Sequence, residues 1–97
     1  MKRMRMVSVA EQEMLEAAAY YEQQAEGLAT AFYDQIEQAS FEIARNPETW
    51  PLISETIRKR SVGRFPFILL YRIDPDEIII QAVMHTSRNP KHWQRRI

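Results

Sequence analysis

The spacing of apolar side chains changes once along this chain, and that change limits the kind of fold open to it. Up to about residue 45 apolar residues recur every three or four positions; from Thr56 they recur every second position. The first spacing lines one face of a helix and the second lines one face of a strand. The chain therefore reads as α+β, with helices covering one side of an antiparallel sheet. Ninety-seven residues allow a single domain over 1–97, whose one core buries about two-thirds of the unfolded surface. With 45% hydrophobic residues and only two glycines, the chain has the apolar content to offset the entropy of ordering.

Met4-Arg5-Met6-Val7 alternates apolar with basic residues and predicts a short first strand. Ser8 and Glu11 have the capping-box spacing, which predicts a helix starting there and running to about Gln24. Met14, Ala17, Ala18, Tyr21 and Ala25 form its expected buried stripe, with Glu13, Glu16 and Glu22 largely outside it. Gly27 is the expected break. Leu28, Phe32, Ile36, Ala39 and Ile43 then mark a second helix, which Asn46-Pro47 stops because proline disfavours helical geometry at the residue before it. Phe32, Tyr33, Phe41 and Trp50 are read as core or helix-packing residues, and Met14 and Met84 as core fillers.

Strands are expected over residues 56–60, 65–73 and 78–85, the last two joined by the turn Asp74-Pro75-Asp76-Glu77. If Ile73 faces Ile78, the register pairs Tyr71 with Ile80, Leu69 with Ala82 and Phe67 with Met84 on an apolar face under the helices. Ile68, Leu70 and Arg72 then lie with Val83, Gln81 and Ile79 on a half-polar face, with Arg64 and His85 at one end of it. A face of that kind is either partly wet or covered by another chain. Asn89-Pro90 fits the start of a short terminal helix carrying Lys91, His92, Trp93, Arg95 and Arg96.

A formal net charge of zero hides strong segregation. Residues 11–55 hold ten acids against Arg45 alone, whereas residues 56–97 hold nine Lys or Arg against three acids. Cysteine is absent, which excludes disulfides, thiolate metal sites and cysteine nucleophiles and suits a reducing cytoplasm. No apolar run is long enough to span a membrane, and the basic opening leads into no apolar signal core, so neither export nor anchoring is expected.

Two basic clusters border the sheet: Arg58, Lys59, Arg60 and Arg64, then Arg88, Lys91, Arg95 and Arg96. With Tyr71, His92 and Trp93 available to stack, they fit a polyanion; they equally fit a solvated face or an acidic protein partner, and composition does not choose. Cleavage of an RNA phosphodiester needs an acid, a base and cations for the crowded phosphorane. His85 is the side chain best placed for the proton, with Arg58, Arg64 and Arg88 as stabilisers, although a histidine at a strand end is also commonly just hydrogen-bonded. His85 and His92 alone do not make a metal site, only Gly27 and Gly63 are present to build a phosphate loop, and no cofactor is expected.

Residues 10–21, Gly27-Leu28-Ala29 to Phe32, Asn46-Pro47, Ile57-Arg58, the run from Arg64 to Ile73 and the run from Ile78 to Arg88 together resemble the RelE/ParE superfamily of toxins. The closing pattern His85, Arg88, Pro90, Trp93, Arg96 is similar to the ParE-like plasmid-stabilisation branch. The resemblance implies the toxin of a type II toxin-antitoxin pair, held in a hetero-oligomer by a small antitoxin whose tail wraps along the fold. ParE-like members poison DNA gyrase without being nucleases, while RelE-like members cleave mRNA in the ribosome. RelE-like activity is associated with basic residues and usually a C-terminal tyrosine. Here Trp93 stands at that place and has no hydroxyl to share in proton transfer. The resemblance therefore implies a gyrase-directed toxin, with Lys59, Arg60, Arg72, Lys91, Trp93, Arg95 and Arg96 as contact residues. A ribosome-dependent nuclease using Arg58, Arg64, His85 and Arg88, and an inactive member that only binds antitoxin, are the alternatives.

Overall fold

The computed structural model describes residues 1–88 and Gln94; the expected terminal helix, with Lys91, His92, Trp93, Arg95 and Arg96, lies outside them. Six elements follow one another: β1 (Arg3–Met6), α1 (Ser8–Gln24), α2 (Leu28–Arg45), β2 (Ile57–Ser61), β3 (Phe67–Ile73) and β4 (Glu77–His85). The sheet order is β1-β4-β3-β2. β2, β3 and β4 are antiparallel, and β1 joins β4 in parallel, Met4 opposite Ile78 and Met6 opposite Ile80. One face of the sheet carries the helical hairpin.

Four of the five α2 stripe residues are buried, Phe32, Ile36, Ala39 and Ile43 being at most 4% exposed, while Leu28 at the start of the helix is half-buried. Phe32 stacks edge-on or tilted against Tyr21, Phe65 and Phe67, so an aromatic knot ties both helices to the start of β3. Tyr71, fully buried, donates its hydroxyl hydrogen to the Pro47 carbonyl and pins β3 to the segment after α2. Burial pushes its phenol pKa up. Phe41 departs from expectation. It is exposed, with the Arg45 guanidinium 5.8 Å from its ring centre. Ala25 is also exposed, because α1 ends at Gln24 and Ala25 is extended.

The helix starts are held differently from the sequence reading. Val7, not Ser8, is the α1 cap, and Ser8 is already helical. The strand leaves no room for a separate cap residue: Val7 N–H bonds Ile80 O as a continuation of β1, and Val7 O accepts from Glu11 N–H at 3.0 Å. At α2 the cap is remote. Gly27 takes φ 88°, and the Glu22 carboxylate accepts the N–H groups of Gly27 at 3.2 Å and Ala29 at 3.0 Å. Those donors, Ala29 first, hold the Glu22 carboxyl below its ordinary pKa.

The largest correction concerns β4. Ile73, Arg72 and Tyr71 pair with Ile78, Ile79 and Ile80 as expected, but Leu70 then pairs with Ala82, Leu69 with Val83, Ile68 with Met84 and Phe67 with His85. Across that step β4 advances two residues while β3 advances one, which is a β-bulge at Gln81. Beyond it every side chain of β4 changes face. Val83 and His85 come to the helix side, and Ala82 and Met84 go to the open side. There they form a second small core with Ile57 and Leu70, onto which Ile53 and Ile68 pack. The open face is therefore more apolar than the sequence register implied.

Candidate functional site

The cations of β2 alternate across the sheet. Arg58 pairs with Tyr71 and Arg60 with Leu69, so both lie on the helix side, while Lys59 pairs with Leu70 on the open side. Arg58 Nη1 donates to the carbonyls of Glu48 at 3.1 Å and Trp50 at 2.7 Å. Arg60 lies 5.1 Å from the Trp50 ring centre, donates to the Ser61 carbonyl and pairs with Glu42. That ion pair, followed by a hydrogen bond from Gln38, holds the Glu42 carboxyl below its usual range. Arg72, on the half-polar open face, is satisfied within the fold: Nε and Nη2 donate to the two Asp74 oxygens at 2.8 and 3.1 Å. The pair lowers the Asp74 pKa and raises that of Arg72.

Arg58, Arg60 and Arg72 are thus occupied within the fold. Lys59, Arg64 and Arg88 are exposed, and among the described residues no carboxylate pairs with them; Arg64 rests its guanidinium 5.8 Å from the Phe65 ring centre. Two cavities meet at the end of β4. One, of about 190 Å³, lies toward the helices and is lined by Glu13, Glu16, Phe67, Val83, His85 and Arg88, among others. The second, of about 440 Å³, opens on the other side and is lined by Ile53, Lys59, Ile68, Met84, Thr86 and Arg88 together with His85 and Gln94. The structure thus brings His85, Arg88 and Lys59 together, while Arg58 and Arg64 line neither cavity.

His85 is the wall between the cavities. Its ring meets Phe67 edge-on at 5.1 Å. The Ser87 backbone N–H donates to Nδ1 at 3.0 Å, and the Ser87 hydroxyl lies 2.8 Å from the same nitrogen. A backbone N–H can only donate, so Nδ1 must accept and the neutral ring carries its proton on Nε2. The imidazole is thereby assigned as a hydrogen-bond donor at its one remaining polar atom, and neutral Nε2–H cannot accept a proton. Two residues of this site escaped the sequence reading. Glu13, which the helix-face pattern puts largely outside the buried stripe, accepts the Val83 N–H at 3.0 Å and so links α1 to β4. Ser87 acts through a local turn, for which a Ser two residues after a His was the available signal.

Among the described residues, no group of three or more His, Asp or Glu side chains is placed to hold a metal ion, and no helix is long and apolar enough to cross a membrane. No curated protein sequence is similar enough to count as a match. Solved structures do match. The chain superimposes with a TM-score of 0.79 on a protein of the chromosomal ParDE toxin-antitoxin system from P. aeruginosa, at 15% identity over 90% of this chain and 98% of that one. It matches the YoeB dimer from Staphylococcus aureus with a TM-score of 0.60, at 17% identity over 87% of this chain and 95% of that one. At such identities these two likenesses establish the fold. The family is established by sequence: residues 8–90 match the ParE toxin family of the type II toxin-antitoxin system parDE, and the chain belongs to that family.

Proposed function

We propose that this type II toxin acts by binding protein rather than by cutting RNA, that its target is DNA gyrase, and that a cognate antitoxin neutralises it in a hetero-oligomer. The observation carrying this reading is the state of the would-be catalytic groups. Arg58 is spent on two carbonyls, Arg64 sits apart from both cavities, and His85 presents a donor nitrogen with its acceptor nitrogen already taken. Metal-free phosphodiester cleavage requires a proton acceptor and gathered cations around one phosphate. A binding surface requires neither. The family match supports the toxin role, and the ParDE system of the structural relative supports an antitoxin partner for this chain.

Purified gyrase provides the test. The chain is expected to block supercoiling or to trap cleaved DNA, and unaffected supercoiling at high excess of toxin removes gyrase as the target. Primer extension on translated mRNA is expected to show no new cuts; cuts that vanish with His85→Ala would establish the ribosome-dependent nuclease instead. Growth arrest on induction, relieved by the antitoxin, separates an active toxin from an inert member of the family.

A further inference from the structure

The turn that ends β4 holds a hydroxyl against a proton acceptor. His85, Thr86, Ser87 and Arg88 form a four-residue turn, closed by the Arg88 N–H on the His85 carbonyl at 3.0 Å. The Thr86 N–H on the Pro66 carbonyl at 2.9 Å fastens it to the segment before β3. Within that turn Nδ1 of His85 receives the Ser87 N–H at 3.0 Å and lies 2.8 Å from the Ser87 hydroxyl oxygen. Since Nδ1 is the accepting nitrogen, the hydroxyl must donate to it. A serine hydroxyl donating to an oriented, neutral imidazole is the pairing that activates a nucleophilic serine. From this geometry we infer that Ser87 is a covalent modification site, which takes a short, uncharged acyl group from an activated ester with His85 as its base. The inference goes beyond the binding role proposed above and does not depend on it.

Each requirement of that chemistry meets a residue. The imidazole is held in place by the Ser87 N–H on Nδ1 and by the Phe67 ring, which it meets edge-on at 5.1 Å. Ser87 is exposed, so an ester reaches its oxygen, and the proton directed at Nδ1 leaves the lone pairs of Oγ for attack. The cavity beside the imidazole, of about 190 Å³, has an apolar wall of Ala17, Phe67 and Val83 that suits a short acyl chain. Glu13 and Glu16 in its lining disfavour an anionic one. In the step itself Oγ bonds to the acyl carbon, its proton passes to Nδ1, and the carbonyl electron pair moves onto oxygen, where the neighbouring Arg88 guanidinium offers positive charge. Collapse of that oxyanion breaks the bond to the ester's leaving oxygen, which departs with the electron pair. The imidazole then returns its proton to the leaving oxygen or to water, and Ser87 remains as an O-acyl ester. A hydroxyl that only caps the imidazole would occupy the same position without reacting, so reactivity separates the two.

The 97-residue chain mixed with p-nitrophenyl butyrate tests the assignment. A burst of p-nitrophenolate of about one equivalent per chain is expected, with the butyryl group found on Ser87 by peptide mass spectrometry. Ser87→Ala keeps the backbone N–H on Nδ1 and should abolish the burst. His85→Asn puts an amide oxygen near the place of Nδ1. That oxygen accepts the same hydrogen bonds but takes no proton, so acylation of Ser87 should slow about a hundredfold or more. Melting curves matching the parent's will show that neither change acts through folding. Ser87 is exposed, so its variant decides the matter even if His85→Asn melts early. The assignment is overturned if no burst appears, if the burst survives Ser87→Ala, or if the butyryl group sits on Lys59, the N-terminal amine or the imidazole and not on Ser87. It is overturned equally if a folded His85→Asn chain is acylated at Ser87 as fast as the parent, since the hydroxyl is then only a cap.

Discussion

The two sides of one sheet use the same residue types for opposite purposes. On the helix side Arg58 and Arg60 are drawn into the fold, one bonding the carbonyls of Glu48 and Trp50 and the other pairing with Glu42 over the Trp50 ring. On the open side, one residue between them in sequence, Lys59 stands exposed at a cavity with Arg88. Strand alternation alone separates them. A run of three cations in a sequence therefore contains both charge held inside the fold and charge left exposed, and only the face decides which is which.

That contrast predicts a graded series of losses. The helix side holds the main core, so Phe32→Ala should have the largest effect. Phe32 is fully buried among three aromatic rings, and its truncation should cost about 3–5 kcal/mol, read as a fall in denaturation midpoint with an unchanged slope. A loss below about 1 kcal/mol would mean that the aromatic knot does not hold the hairpin to the sheet.

The next contrast lies within β2. Arg58→Ala leaves the Glu48 and Trp50 carbonyls without their donor and should cost about 1–3 kcal/mol. Among the described residues the Lys59 side chain makes no hydrogen bond or ion pair, so Lys59→Ala should change stability by no more than about 0.5 kcal/mol. The functional ranking should invert: Lys59→Ala weakens partner binding in a chain of parental stability, whereas Arg58→Ala acts through folding. Chemical denaturation beside a binding titration checks both halves, and equal stability losses would erase the distinction between the two faces.

The α2 stripe, the break at Gly27 and the three later strands were all legible, because periodicity and turn residues are local signals. The bulge at Gln81 was not. Ile78, Ile79 and Ile80 are all buried because both faces of the sheet are covered there, so no alternation marks the place where the register slips. That single extra residue moves His85 from the open face to the helix side and places it against Phe67, which decides what the imidazole can do. The partners of Arg58 and Arg60 were equally hidden. Glu42 is eighteen residues from Arg60, and the carbonyls that bind Arg58 carry no side-chain signature at all. The charge map was readable from the sequence, but the share of it left free for a partner depended on these contacts.

The smallest expected effect concerns pH, and it separates the hairpin from the sheet edge. Glu22 accepts the Ala29 and Gly27 N–H groups, which lowers its pKa in the folded chain relative to the ordinary 4.5. A depressed folded pKa means that the unfolded chain binds the proton first as acid is added. Its stabilisation is therefore complete above the ordinary carboxylate pKa and is lost as the pH falls through the lower, folded value. The same sign holds for Glu42, held by Arg60, and for Asp74, held by Arg72. Melting curves from neutral pH down to about pH 3 should show stability falling through the carboxylate range. Glu22→Gln keeps a carbonyl acceptor for the N–H groups but cannot titrate, so it should flatten part of that fall while lowering neutral-pH stability slightly. An unchanged pH slope in Glu22→Gln would show that the α2 cap does not depend on carboxylate charge, and would leave the acid sensitivity to the ion pairs of the sheet and its edge.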